Sequence, residues 1–86
     1  MLIKFHKTFE KNFKKLPEQL KKKTILSIKK FSSNPHDPKL RNHGLKGRLL
    51  GKRAFWVTGD LRVIFEEFDG YVLVIMLDVG THNHVY

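Results

Sequence analysis

Eighty-six residues, 41% of them hydrophobic, are enough for one compact core and too few for two, which makes residues 1–86 a single domain. The absence of cysteine excludes a disulfide framework, a zinc–thiolate site and a thiol nucleophile. Seventeen Lys and Arg against eight acids give a formal +9, more than solubility requires, and point to a polyanionic partner. The excess is local: residues 1–62 hold every basic side chain against four acids, a balance of +13, whereas residues 63–86 hold four acids and no Lys or Arg. The longest apolar run, Tyr71 to Leu77, is too short to span a bilayer, and Lys and His interrupt Met1 to Phe13 too often for a signal segment. A cytoplasmic protein without membrane contact is expected.

Leu2, Ile3 and Phe5 suggest a short first strand. Thr8 can then cap a helix in which Phe9, Phe13 and Leu16 fall at i, i+4 and i+7. Pro17 suits the first position of a second helix, whose apolar stripe runs through Leu20, Thr24, Ile28 and Phe31 and is widened by Ile25. Lys21, Lys22, Lys23, Lys29 and Lys30 fill much of the remaining circumference. Two prolines, two serines, an Asn and an Asp between Ser32 and Pro38 end the helical region in a loop.

Thereafter the period becomes two. Residues 53–57, 61–67 and 71–79 are rich in β-branched and aromatic side chains, with Thr58-Gly59-Asp60 and Phe68-Asp69-Gly70 as hairpin connections. The order β-α-α-β-β-β describes an α+β domain in which a helical hairpin packs on one face of an antiparallel sheet and leaves the other face to a ligand.

Three groups of residues can carry chemistry. If the chain after Gly80 stays extended, alternation puts His82, His84 and Tyr86 on one side, two imidazoles and a phenol suited to proton transfer beside a phosphodiester; the alternative is a polar tail. No carboxylate or thiolate is placed to complete a metal site with the two histidines, so no metal or cofactor is expected. Between residues 41 and 53, Arg41, Lys46, Arg48, Lys52 and Arg53 interleave with three glycines and His43, which reads either as a phosphate-binding loop or as a solvated basic one. Arg62 falls on the less apolar side of its strand and can hold a phosphate bidentately or pair with Glu66, Glu67 or Asp78. Trp56, opposite in facing to Phe55 and Val57, is either a core residue or a surface on which a base stacks, and Asp60 belongs to a turn.

The run from His43 to Tyr86 resembles the YafQ-type branch of the RelE/ParE toxin superfamily. That pattern is His-x-Leu-x-Gly, a strand, an Asp turn, a strand pair, and a terminal Gly-Thr-His followed four residues later by an aromatic. Here it reads His43-Gly44-Leu45-Lys46-Gly47, Asp60, Gly80-Thr81-His82 and Tyr86. Residues 1–42 share the family's strand and basic hairpin without a specific motif. The resemblance implies that His43, Asp60, His82 and Tyr86 belong to an active site and that Arg62 contacts phosphate. Trp56 stands where close relatives carry another active-site His, Leu61 where they carry a Trp, and His84 is placed to supply some of the missing basicity.

The implied activity is ribosome-dependent, metal-independent cleavage of messenger RNA through attack of the ribose 2′-hydroxyl, with His43 and His82 as base and acid in either order. Lys46, Arg48, Lys52, Arg53 and Trp56 would contact RNA or the ribosome. The implied partners are a cognate acidic antitoxin, the ribosome with its messenger and, through the antitoxin complex, operator DNA. Two other functions fit the same fold: a ParE-like inhibitor of DNA gyrase, and a catalytically silent homologue acting only as a binding module.

Overall fold

The computed structural model describes residues 1–85; Tyr86 and the side chains of Asn83 and His84 lie outside the described residues. Its elements are β1 (Leu2–Phe5), α1 (Lys7–Lys14), α2 (Glu18–Ser33), β2 (His43–Gly44), β3 (Arg53–Thr58), β4 (Leu61–Phe68), β5 (Leu73–Thr81) and α3 (His82–Val85). Short 3-10 turns at Pro38–Leu40 and Gly47–Leu49 flank β2. The five strands form one sheet in the order β1-β5-β4-β3-β2.

The α+β layering agrees with the sequence, with two departures in the sheet. It is mixed rather than antiparallel, because β1 lies parallel to β5, with Leu2 opposite Leu73 and Phe5 opposite Met76. The two-residue β2 is an edge strand that periodicity cannot detect; it pairs His43 with Ala54 and Gly44 with Arg53.

Capping differs from expectation too. Helix α1 is capped by His6, whose Nδ1 accepts from the Thr8 amide at 3.1 Å, so Thr8 contributes an amide rather than a cap. Pro17 precedes α2 instead of opening it, and its carbonyl accepts from the amides of Leu20 and Lys21.

The core forms where the α2 stripe meets the odd-numbered residues of β3 and β4. Phe31 is fully buried, stacked on Phe55 at 4.7 Å and edge-on to Phe65 at 4.8 Å. Leu61, Val63, Val79 and Met76 extend this cluster, and Phe9 closes it from α1. Thr24 is also fully buried, and its hydroxyl is satisfied by donating to the Leu20 carbonyl at 2.8 Å. Ile25 does not widen the stripe: it is 44% exposed on a groove shared with Phe5, Phe9, Phe13 and Ile28.

The second hairpin connection is longer than its Asp-Gly pair suggests, and β5 begins at Leu73 rather than residue 71. Asp69, Gly70 and Tyr71 adopt φ of 55°, 64° and 71°. This left-handed run turns Tyr71 inward against Phe31 and Phe65, while its amide donates to Glu67 Oε1. Core packing thereby offsets the strain of a bulky residue at positive φ.

Candidate active site

Strand alternation decides which side chains leave the core. Phe55 and Val57 face the helices, so Trp56 faces the other way, and the register pairs it with Arg62 on β4. The next pair toward the chain's other hairpin is Ala54 with Ile64, both buried. On the far side Arg62 is opposite Gly80 of β5, a position without a side chain to crowd the guanidinium. Leu61, by contrast, is 4% exposed within the core cluster and takes no part in this surface.

The loop before β2 completes the site. Arg41 ends the Pro38–Leu40 turn in the left-handed region, at φ 51°, and its guanidinium carbon lies 5.1 Å from the centroid of the Trp56 ring. Its carbonyl is 2.8 Å from Nδ1 of the exposed His43. Between them Asn42 is tied inward: its Nδ2 donates to the Tyr71 hydroxyl and to the Pro35 carbonyl, each at 3.0 Å, and its Oδ1 accepts from Arg53 Nε at 2.9 Å. Asn42 therefore anchors two site-facing neighbours to the core aromatic cluster. Arg41, His43, Phe55, Trp56 and Arg62 enclose a cleft of about 50 Å³.

Asp60 connects this cleft to the end of β5. In the β3–β4 turn, its Oδ2 accepts from the His82 amide at 3.2 Å and its Oδ1 lies 3.7 Å from the Arg62 guanidinium. One carboxylate thus holds the start of α3 and balances part of the cationic charge. The acids expected as cross-strand partners of Arg62 are engaged elsewhere: Glu66 with Lys52 at 3.3 Å, Glu67 with the Tyr71 amide, and Asp78 with Asn12 at 2.7 Å.

His43, Trp56, Asp60, Arg62 and the backbone of His82 are therefore brought together from four separate stretches of chain. The extended tail is corrected: residues 82–85 form a helical turn, so the period-two alternation of His82, His84 and Tyr86 does not apply. Of that group the imidazole of His82 is exposed, while the His84 side chain and Tyr86 lie outside the described residues.

Lys46 and Arg48 are exposed and, with His43, Gly44, Leu45 and Leu49, line a surface cavity of about 400 Å³. Lys52 and Arg53 have partners within the fold, Glu66 and Asn42. Gly47 and Gly51 adopt φ of 67° and 91°, a backbone conformation that favours glycine. Composition does not separate Arg41 and Asn42 from their neighbours; the αL turn and the part-buried amide network single them out.

Among the described residues, no group of three or more His, Asp and Glu is arranged to hold a metal ion, and no helix is long and apolar enough to cross a membrane.

Solved structures share this architecture. A conserved protein of Helicobacter pylori matches with a TM-score of 0.77 at 24% identity, covering 100% of this chain and 99% of that one. The YoeB/ParE toxin of Agrobacterium tumefaciens matches with a TM-score of 0.78 at 13% identity, covering 95% and 99%. The Escherichia coli DinJ–YafQ complex matches with a TM-score of 0.71 at 22% identity, covering 98% and 96%. At these identities the likeness is one of fold alone. A search of curated proteins finds no match. The model of the family described as the bacterial toxin of type II toxin–antitoxin systems, YafQ, matches residues 1–86. With the match running the full length of the chain, it belongs to the YafQ family of type II toxins.

Proposed function

We propose that the chain is a ribosome-dependent messenger-RNA endonuclease in which His43 is the general base. The observation that carries this reading is the 2.8 Å contact between His43 Nδ1 and the Arg41 carbonyl. A carbonyl only accepts, so Nδ1 carries the hydrogen and the neutral ring keeps its lone pair on Nε2. Nε2 then takes the proton of a ribose 2′-hydroxyl as the 2′-oxygen attacks the adjacent phosphorus. Arg62, steadied by Asp60, binds the phosphate oxygens as charge accumulates on them. The bond from phosphorus to the 5′-oxygen breaks, that oxygen receives a proton from the His82 imidazolium, and the products are a 2′,3′-cyclic phosphate and a 5′-hydroxyl.

Asp60 supports the role of His82 by fixing the start of α3 beside Arg62. Lys46 and Arg48 offer sequence-independent contacts to the RNA backbone. The relative held with DinJ supports a cognate antitoxin as partner, with an acidic segment suited to the basic surface, and contact with operator DNA only through that complex. The ribosome supplies preorganised messenger in the cytoplasm.

The test is to add purified protein to translating ribosomes and map messenger 5′ ends by primer extension. New ends that depend on both ribosomes and His43 are expected. Intact messenger alongside DNA damage in expressing cells would indicate a gyrase inhibitor instead, and neither effect would leave only a binding module.

A further inference from the structure

The cleavage steps use the two imidazoles and Arg62 and leave open what the ring of Trp56 does beside them. Trp56 is the chain's single tryptophan. Its indole N–H donates to the Gly59 carbonyl at 2.9 Å, which satisfies the polar edge and fixes the ring against the β3–β4 turn. The ring lies on the cleft side of the sheet, half-buried, with the Arg41 guanidinium over its face. Arg41 is exposed and, among the described residues, makes no ion pair.

The cleft volume of about 50 Å³ corresponds to roughly two waters at ~30 Å³ each, too small for a nucleobase while Arg41 rests on the ring. Arg41 is a flexible surface side chain, and an exposed cation–π contact is weaker than the stacking of a base on an aromatic ring. Trp56 and Arg62 are also cross-strand partners, whose Cβ atoms in such pairs sit about 5 Å apart. A base on the ring therefore belongs to a nucleotide next to the phosphate that Arg62 would hold.

We propose that the Trp56 face now covered by Arg41 is a stacking site for one base of single-stranded RNA, over which Arg41 closes as a lid. Stacking by ring and guanidinium is indifferent to base identity, so the site fixes the strand without selecting its sequence. This inference rests on the reading of the cleft as an RNA site.

The single tryptophan makes the test direct. The full-length protein is titrated with a 2′-O-methyl RNA trinucleotide, which lacks the attacking hydroxyl, and separately with ribose 5-phosphate, while tryptophan fluorescence is followed. Saturable quenching by the trinucleotide and little change with ribose 5-phosphate are expected. By anisotropy of a labelled trinucleotide, Trp56→Phe should keep the affinity within about threefold, whereas Trp56→Ala should weaken it about tenfold or more. Arg41→Ala, at an exposed position that spares the fold, should weaken it by several fold. Trinucleotide binding with unchanged fluorescence, or an abasic trinucleotide that binds and quenches equally, overturns the stacking site. Cleavage that is independent of His43 overturns the nuclease mechanism but leaves quenching intact; cleavage without quenching sinks only the stacking site.

Discussion

His43 and Asp60 show how much of the site hangs on single atoms. Because Nδ1 of His43 is committed to the Arg41 carbonyl, only Nε2 is left to take a proton from substrate. His43→Ala should lower single-turnover cleavage on programmed ribosomes by on the order of 10² to 10⁴, with an unchanged circular-dichroism spectrum because the residue is exposed. Asp60 performs two tasks that substitution can separate. Asp60→Asn keeps an acceptor for the His82 amide and loses the charge beside Arg62, whereas Asp60→Ala loses both. The Ala variant should therefore be the slower in the same assay; equal rates would mean that the bond to the His82 amide contributes nothing.

At the scale of elements, caps and turns decide where side chains emerge. The His6 cap of α1 needs an imidazole or amide oxygen within reach of the Thr8 amide. His6→Ala should cost about 0.5–2 kcal/mol in denaturant unfolding, while His6→Asn should retain most of the stability. Gly51, at φ 91°, closes the loop that returns to β3, and Gly51→Ala there should cost about 1 kcal/mol or more. Since this loop carries Lys46 and Arg48 and ends beside Lys52, reduced RNA affinity is expected to accompany the lost stability, measurable by anisotropy. The left-handed run Asp69–Tyr71 shows the opposite balance, in which a bulky residue accepts an unfavourable φ because its ring and hydroxyl join the core and the Asn42 network.

For the whole molecule, one aromatic cluster supports both the fold and the cleft. Phe31 contacts Phe55, Phe65 and Tyr71, and Tyr71 holds the loop that presents Arg41 and His43. Phe31→Ala should cost about 3–5 kcal/mol, a large part of the stability of a domain this small, and thermal unfolding should report it as a severe loss of Tm. Charge acts over the same scale. RNA affinity should fall with salt at about 0.7 log units per log unit for each phosphate neutralised, and removing Lys46 or Arg48 should reduce that slope by about one phosphate's share.

Composition and periodicity by themselves determined the α+β class, the apolar stripe from Leu20 to Phe31, the three long strands and the basic first part of the chain. These are local properties, expressed by any segment that must bury one face. The motif from His43 to His82 likewise identified the residues that converge, although they come from separate stretches. Tertiary structure alone decided how they meet. The parallel docking of β1 on β5 and the two-residue β2 arise from pairing between segments far apart in sequence, which no periodicity records. The positive φ of Arg41, the inward amide of Asn42 and the double use of Asp60 depend on backbone geometry and on partners up to 29 residues away. The sequence after Gly80 suggests an extended strand or a polar tail, whereas residues 82–85 form a helical turn where Asp60 receives the His82 amide.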